Sequence, residues 1–434
     1  MACRHLARDR ERCVSGRERA GSRWSRAGKG GTGGRGGGTK RTDPRDPSRR
    51  DFLAASAISL IGLARGSERP TLRDAAHTDG DLLYVGTYTD GGRSEGIYLV
   101  RMDRRSGHLR RVGSVAAGAN PSFLALHPNR RVLYAVNELE QYNGRPTGAV
   151  SAFAIAKDTG ALTPLNEQPS EGGAPCYVSL DRSGRVVLVA NYVGGNIALL
   201  PLGANGALGP AAQVVQHTGT GPNGERQEAP HAHCILADPS NRFVLAADLG
   251  ADRVFVYRLD VEGKSLRHVE GGDAVMSPGA GPRHIAFHPT LPLVFVANEL
   301  DSTVATLRFD AERGTLSPVD TRSTVPAGWT GTNYPADIHV ASSGRTLYVS
   351  NRGCNSIAVF SVAESTGALV LDQVVSTEGD WPRNFSLDPT GRWLLAANQR
   401  SDSVVVFGRD PDNGRLTPTR QRIAIPSPVC LRFA

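Results

Sequence analysis

One phrase occurs six times along this chain and constrains its fold more than any other feature. Each copy contains a proline, a short apolar run, a turn that resembles the consensus Asp/His-Pro-x-Gly/Asn-Arg and a second apolar run. The copies end at Asn137, Asn191, Asp248, Asn298, Asn351 and Asn398. Successive ends lie 47 to 57 residues apart. A period of about fifty residues, made from strand-sized runs, predicts a repeat architecture.

Each repeat unit contains four runs whose length and composition favour short strands. The copy from Gly281 to Asn298 has two apolar runs around a Pro-containing turn, which indicates a β-hairpin. A third and a fourth run follow, separated by turns such as Asp158-Thr-Gly160. Because four short antiparallel strands form one propeller blade, each unit predicts one blade.

The two ends of the repeat region complement each other. Residues Pro426 to Ala434 match only the first strand of a unit, and Asp81 to Thr87 match only the second strand. Together they supply a seventh blade and leave no free sheet edge at the closure. We therefore predict an all-β fold over residues 80–434, a seven-bladed β-propeller closed by pairing of its N- and C-terminal strands.

The basic charge of the chain belongs to its N-terminal end. Residues 1–50 contain 13 Arg and 2 Lys against 5 Asp and Glu, whereas the net charge of the whole chain is +8. The remainder is slightly acidic, so we expect no nucleic-acid binding by the folded domain. We expect residues 1–47 to be a disordered Gly/Arg-rich tail, although residues 28–38 also resemble segments that bind RNA.

Residues 48–76 indicate an export signal followed by a linker. Arg49 and Arg50 precede Phe52-Leu53 and a small apolar stretch from Ala54 to Ala64. This pattern resembles a twin-arginine signal, and the stretch is too short to span a bilayer as a mature helix. We therefore expect passage through the twin-arginine translocon and a periplasmic or secreted protein; the alternative is a cytoplasmic one.

The cysteines do not form a recognisable framework. Six cysteines are spread over the tail and four repeat units without CxxC spacing. This spacing favours free thiols, and we expect those in the repeats to be buried within the fold.

We expect the protein to be a monomer.

Charged residues interrupt the repeat at one end of its strands. The first strand of each unit begins after its proline and the second ends at its Asn, so antiparallel pairing places both points at one mouth of the central channel. The ionisable residues at these points are Glu138, His231, His233, Arg283, His284, Glu299, Asp337, Arg352 and Arg383. Desolvating so many charges in a structural core is costly, so we expect a polar cleft there.

Three interpretations of these residues compete with a catalytic one. His284 could be a hydrogen-bonded core histidine, and Glu138 and Glu299 could simply pair with arginines. His231 and His233, two residues apart, could face one way as metal ligands, but no third ligand accompanies them at metal-like spacing. We expect neither a metal nor another cofactor.

Several motifs resemble the lactonase family of seven-bladed β-propellers, which includes bacterial 6-phosphogluconolactonases and a fungal carboxy-muconate lactonizing enzyme. They are Gly281-Pro-Arg-His284, Asn298-Glu-Leu300, Ala336-Asp-Ile-His339, Asn351-Arg352 and Pro382-Arg383-x-Phe385. The resemblance covers about residues 82–433. It implies metal-free hydrolysis of a sugar lactone, with Arg283, Glu299, Arg352 and His231 or His233 in the cleft.

The chemical requirements of lactone hydrolysis predict a role for each of these residues. It needs an activated water, a stabiliser of the oxyanion and a proton for the leaving alkoxide. We expect Glu299 or a histidine to act as general base and Arg283 to stabilise the oxyanion. Arg352 and Arg383 would hold a phosphate or carboxylate. We also expect Asp337, His284 and Glu138 to contact the small-molecule lactone or sugar acid.

Two alternatives remain at this point: a muconolactone-type cyclase, and a non-enzymatic exported propeller that binds a partner or a glycan. Export would also separate the enzyme from phosphorylated sugars, so an unphosphorylated aldonolactone, or another cyclic ester or acid, is the alternative substrate.

Overall fold

The computed structural model describes residues 80–434, which form seven sheets arranged as the blades of a propeller and contain no helix. The predicted fold class is confirmed. The tail at residues 1–47 and the signal-like segment at residues 48–76 lie outside the described residues. No helix in residues 80–434 is long and apolar enough to cross a membrane.

The strands follow the repeat in chain order. Blade 1 contains β1 (Asp81–Thr87), β2 (Ile97–Met102) and β3 (Leu109–Val115). Blade 2 contains β4 (Leu124–Leu126), β5 (Val132–Asn137), β6 (Ala149–Ile155) and β7 (Leu162–Pro169). Blade 3 contains β8 (Pro175–Leu180), β9 (Val186–Asn191), β10 (Asn196–Pro201) and β11 (Gln213–Gln216). Blade 4 contains β12 (Ala232–Ala237), β13 (Phe243–Asp248), β14 (Arg253–Asp260), β15 (Ser265–His268) and the short β16 (Ala274–Val275).

The remaining blades repeat the same antiparallel order. Blade 5 contains β17 (Pro282–Phe287), β18 (Leu293–Asn298), β19 (Thr303–Asp310) and β20 (Thr315–Ser323). Blade 6 contains β21 (Tyr334–Val340), β22 (Thr346–Arg352), β23 (Ser356–Val362) and β24 (Leu369–Ser376). Blade 7 contains β25 (Pro382–Leu387), β26 (Trp393–Asn398), β27 (Ser403–Arg409) and β28 (Leu416–Ala424). The last strand is β29 (Pro428–Phe433).

The ring closes as the sequence predicts. Strand β29 returns to blade 1 and pairs antiparallel with β1, with Leu83 opposite Phe433 and Val85 opposite Leu431. Leu431 is fully buried, and its backbone N–H donates to the side chain of Asn384 in blade 7. The C-terminal strand therefore joins blade 1 to blade 7.

The recurring Asn links neighbouring blades. Nδ2 of Asn351 donates to the carbonyl of Thr324 at 2.7 Å, and Thr324 directly follows the outer strand of the preceding blade. Asn191 and Asn398 make the equivalent bonds to Ser170 and Thr377. Each of these side chains therefore binds the blade that precedes its own.

The cysteines in the described part are free thiols. Cys176, Cys234 and Cys430 are buried, as predicted, whereas Cys354 is partly exposed. Burial raises the pKa of the Cys176 and Cys234 thiols, for Cys234 to about 12, so these groups are protonated at neutral pH.

Candidate active site

The first strand of most blades contains a β-bulge at the channel mouth. In β17 the pairing with β18 shifts between Pro282 and His284, so Arg283 is the extra residue. His233 in β12 and Arg383 in β25 occupy the equivalent positions. Bulges next to active sites re-aim side chains. In this protein they interrupt strand alternation at the three positions, so the sequence argument that His231 and His233 share a strand face does not apply.

Glu299 is the centre of a buried cluster of arginines. Its Oε2 lies 2.9 Å from Nε of Arg283 and 2.6 Å from a terminal nitrogen of Arg352. Its Oε1 accepts a hydrogen bond from Arg226 at 2.7 Å. Burial alone would raise the pKa of Glu299, but the guanidinium groups of Arg352, Arg226 and Arg283 outweigh it and hold that pKa well below its usual range. Glu299 is therefore a fixed anion.

Arg352 is enclosed on several sides. Its guanidinium lies over the rings of Tyr334 and Trp381, at 5.9 and 5.5 Å, and its side chain is 4% exposed. Its Nε donates to the carbonyl of Tyr334. Burial lowers the pKa of Arg352 to about 9, although Glu299 opposes the shift. Nε and one terminal nitrogen of Arg352 are thus held by protein groups.

Arg283 links this cluster to a second one. One terminal nitrogen of Arg283 lies 3.1 Å from Nε2 of His284 and also donates to the carbonyl of Ala336. Nδ1 of His284 lies 2.8 Å from Oδ1 of Asp337, and Oδ2 of Asp337 lies 2.9 Å from Nε2 of His339. Asp337 was predicted to contact the substrate, but its oxygens are occupied by protein side chains.

The protonation states of His284 and Asp337 are consistent with their hydrogen bonds. Burial, followed by the charge of Arg283, lowers the pKa of His284 to about 3, so the ring is neutral. Burial would raise the pKa of Asp337, but His339 and His284 keep it well below its usual range. An ionised carboxylate only accepts hydrogen bonds, so Nδ1 of His284 carries the proton and Nε2 accepts from Arg283.

His233 lies between the two clusters with one ring nitrogen unsatisfied. Its Nδ1 is buried without a hydrogen-bond partner, and the residue is 4% exposed. Its ring centre lies 5.3 Å from that of His284 and 5.6 Å from that of Tyr192. Burial, followed by the charge of Arg283, holds the pKa of His233 well below the usual histidine range. The ring is therefore a neutral imidazole with a free nitrogen.

His231 is held away from His233 by different partners. Its Nδ1 donates to the carbonyl of Tyr192 at 2.9 Å, and its ring stacks on that tyrosine at 4.5 Å. Its Nε2 lies 3.3 Å from the carboxylate of Glu228. In residues 80–434 no group of three or more His, Cys, Asp and Glu side chains is arranged to hold a metal ion.

Arg383 and Glu138 face the same mouth from other blades. Glu138 accepts hydrogen bonds from Tyr88 and Ser122 and lies 4.0 Å from Arg383. A cavity of about 10 Å³, room for about one water molecule, lies among these blades. Its walls include Ser122, Phe123, Glu138, Cys176, Arg283, His284, Arg383 and Val429.

Sequence reasoning missed Arg226. This residue lies in the connector from β11 to β12, residues 217–231, which falls between two repeat phrases. The equivalent connector from β24 to β25 spans only residues 377–381. The unusual length of the connector was the available signal, because long loops on a regular scaffold often carry functional residues.

Comparison with known proteins identifies the class that this fold and site define. Residues 82–433 match the family described as "Lactonase, 7-bladed beta-propeller". The chain therefore belongs to the lactonase family of seven-bladed β-propellers, and its enzyme class is that of a carboxylic ester hydrolase. The resemblance found in the sequence motifs is confirmed.

Individual relatives are sugar-lactone hydrolases by name. A 6-phosphogluconolactonase from Bacillus subtilis is 40% identical over 350 residues, which cover 81% of this chain and 97% of that protein. A 6-phosphogluconolactonase from Formosa agariphila is 31% identical over 353 residues, covering 79% of this chain and 96% of the relative. The structure of a periplasmic gluconolactonase from Pseudomonas aeruginosa superimposes with a TM-score of 0.76 at 35% identity, covering 82% of this chain and 99% of that one.

Proposed function

We propose that this protein hydrolyses a sugar δ-lactone to the aldonic acid at the mouth formed by Arg283, Glu299 and His233. The observation that carries the proposal is the buried, unpartnered Nδ1 of His233 beside a cluster of guanidinium groups. A neutral imidazole nitrogen can accept a proton from water, and a fixed guanidinium can stabilise negative charge on the carbonyl oxygen. The names of the relatives support the same reaction.

In the first step, water attacks the carbonyl carbon of the lactone. His233 takes a proton from that water, and the carbonyl oxygen becomes the oxyanion of a tetrahedral intermediate. The guanidinium of Arg283 stabilises the oxyanion, because its orientation is fixed by Glu299, His284 and the carbonyl of Ala336. Such pre-oriented charge acts strongly in a buried site.

In the second step, the tetrahedral intermediate collapses and the bond between the carbonyl carbon and the ring oxygen breaks. The leaving alkoxide takes the proton from the protonated His233, which restores the neutral imidazole. The product carboxylic acid then ionises, so one proton is released for each lactone opened. That proton is a direct measure of turnover.

The contacts favour His233 over Glu299 as general base. Both carboxylate oxygens of Glu299 are paired with arginines, so neither is free to take a proton from water. His284 is less suited as well, since Nδ1 contacts Asp337 and Nε2 accepts from Arg283. We assign Glu299 to holding the guanidinium groups in place.

The residues that we propose to contact the substrate differ from those predicted from the sequence. Arg352 is enclosed by Glu299, Tyr334 and Trp381, so we assign it to the support of Glu299 and not to phosphate binding. Arg383 lines the cavity together with Arg283, and we retain it as a substrate-binding residue with Glu138.

The test is proton release measured by pH-stat, with glucono-δ-lactone and its 6-phosphate as substrates. We expect acceleration over spontaneous ring opening, and we expect it to persist after treatment with a chelator. No acceleration with either lactone contradicts the proposal. A muconolactone assay in the same series distinguishes the cyclase alternative.

We further propose that the protein is exported through the twin-arginine pathway. The motif around Arg49 and Arg50 supports export, and the periplasmic location in the name of the Pseudomonas aeruginosa relative is compatible with it. Replacing both arginines with lysine should retain the protein in the cytoplasm, as measured by cell fractionation. Undiminished export of the double variant contradicts the proposal.

A further inference from the structure

The connector between blades 3 and 4, residues 217–231, brings a fourth arginine to the mouth. We infer that its Arg226 determines substrate specificity by binding an anionic group, phosphate or carboxylate, at the end of the sugar chain opposite the lactone carbonyl. The inference rests on the proposed lactone hydrolysis and adds the residue that selects among substrates of that reaction.

Arg226 contacts the buried cluster from its solvent side. Its guanidinium donates to Oε1 of Glu299 at 2.7 Å and to the hydroxyl of Tyr192 at 3.2 Å. Of the three arginine side chains on Glu299, that of Arg226 is 34% exposed, whereas those of Arg283 and Arg352 are 2% and 4% exposed. A ligand that enters the mouth can therefore reach Arg226 without displacing the other two.

Glu299 does not depend on Arg226 alone for its charge balance. Arg283 and Arg352 both lie on Oε2, while Arg226 occupies Oε1. Arg226 can share its remaining N–H groups with a ligand oxygen while Glu299 keeps two buried partners. The planar guanidinium presents five N–H donors, a geometry that suits phosphate and carboxylate oxygens.

The connector holds Arg226 in place for this role. The next residue, Gln227, is fully buried, and its amide donates to the carbonyl of Leu249 at 2.9 Å. The backbone N–H groups of Arg226 and Gln227 both donate to the carbonyl of Asn223, which forms a tight turn. Pre-organisation of this kind reduces the entropy lost when a ligand binds.

Arg226 and Arg283 share Glu299 but differ in their exposure and in their other contacts. Both contact the same carboxylate of Glu299, but on opposite oxygens, and only Arg283 continues towards His284 and the carbonyl-binding end. A lactone whose carbonyl lies at Arg283 can extend its chain towards the exposed Arg226. An anionic terminal group would then be the feature that Arg226 recognises.

The experiment compares the wild-type protein with Arg226→Gln and Arg226→Lys on three lactones. These are uncharged glucono-δ-lactone, its 6-phosphate and a glucaric acid lactone with a terminal carboxylate. For the preferred charged lactone, we expect Arg226→Gln to lower the ratio of its kcat/KM to that of glucono-δ-lactone by about tenfold or more, mainly through KM. Arg226→Lys should retain part of the preference, because it keeps the charge but loses the planar fork. The phosphate and carboxylate arms identify which anion is recognised.

The matched control is Arg145→Gln at the same mouth. Arg145 pairs with Glu171 and its side chain is 55% exposed, so this change removes one rim charge away from the cluster. An equal loss of preference in both variants would indicate general attraction and overturn the inference. So would an unchanged ratio in Arg226→Gln, or a wild-type protein without preference for either charged lactone.

A binding measurement separates this inference from the proposed reaction. Calorimetry with gluconate, 6-phosphogluconate and glucarate requires no turnover. Tighter binding of a charged acid by the wild-type protein, lost in Arg226→Gln, supports the inference even if no lactone is hydrolysed. The absence of hydrolysis would contradict only the proposed function. Equal binding of all three acids overturns the inference.

Discussion

Nδ1 of His284 lies 2.8 Å from Oδ1 of Asp337, and both residues are buried. The carboxylate is ionised and can only accept, so it fixes the proton of the imidazole on Nδ1. Nε2 of His284 is then an acceptor, and it accepts a hydrogen bond of 3.1 Å from the guanidinium of Arg283. In this way Asp337 acts through His284 on the residue that we propose to stabilise the oxyanion.

Replacing Asp337 with asparagine should therefore impair turnover more than substrate binding. An amide can present either a donor or an acceptor to His284, so the ring loses its fixed tautomer and Arg283 loses a fixed partner. Misplacement of a catalytic group by a fraction of an ångström to 1 Å can cost about a hundredfold. We expect kcat to fall by about tenfold to a hundredfold with KM changed little, as measured by pH-stat.

The control for this variant is His339→Gln. His339 contacts the other oxygen of Asp337 but does not contact Arg283, and glutamine can still donate to the carboxylate. We expect a smaller loss of kcat. A larger effect in His339→Gln than in Asp337→Asn, or a loss confined to KM in Asp337→Asn, would contradict the positioning role.

The low pKa of His233 predicts an unusual pH dependence. A general base must be unprotonated, and an ordinary imidazole becomes protonated as the pH falls through about 6.5. Burial, together with the charge of Arg283, holds the pKa of His233 well below that value, so the ring remains neutral at lower pH. After subtraction of spontaneous hydrolysis, kcat/KM should stay nearly constant from about pH 8 to about pH 6.

His233→Gln is the matched variant for this prediction. Glutamine is polar but cannot act as a base near neutral pH, so we expect kcat to fall by about a hundredfold or more. Near-normal turnover of the variant would remove His233 from the mechanism. A wild-type rate that declines with an apparent pKa near 6.5 would point to a different base.

The sequence contained the fold because the repeat and its turns specify it locally. A turn such as Asp388-Pro-Thr-Gly391 is stabilised by Oδ1 of Asp388, which accepts from the N–H of Trp393, and Gly391 has the positive φ that the turn requires. Every blade except the closing one carries a version of this turn. Six copies of the repeat and two complementary ends are therefore sufficient to predict seven blades.

The site was only partly predictable, for two physical reasons. The β-bulges at Arg283, His233 and Arg383 do not alter the apolar pattern of the sequence. The strand register at the site could therefore not be predicted from it. Charge pairing also depends on distances across blades. Arg226 reaches Glu299 from a connector 73 positions earlier in the chain, and no local motif encodes that contact.

The inter-blade role of the recurring Asn leads to a stability prediction. Asn351 is fully buried, and its loss would leave the carbonyl of Thr324 without its side-chain donor. We expect Asn351→Ala to lower the free energy of unfolding by about 1–3 kcal/mol, measured by urea denaturation. Asn413→Ala in an exposed turn is the control, and we expect a smaller change. Equal effects at the two positions would contradict the inter-blade role.

The closing strand leads to a prediction about folding. Leu431 in β29 packs in the core cluster that joins blades 1 and 7, which includes Leu83, Val85 and Leu395. Removal of residues 428–434 would also leave β1 as an unpaired edge with its N–H and C=O groups exposed, a template for association with other chains. We expect the truncated protein to aggregate, as measured by size-exclusion chromatography.

A milder change tests the same closure in a protein that still folds. Leu431→Ala removes buried methyl groups and should lower the free energy of unfolding by about 2–5 kcal/mol. Val370→Ala is the control, because Val370 is 60% exposed on an outer strand and should change stability by less than about 0.5 kcal/mol. If the truncated protein is monomeric and Leu431→Ala is no less stable than Val370→Ala, then β29 does not hold the ring closed. A large loss in Leu431→Ala alone, with aggregation on truncation, is the outcome that the pairing of β29 with β1 requires.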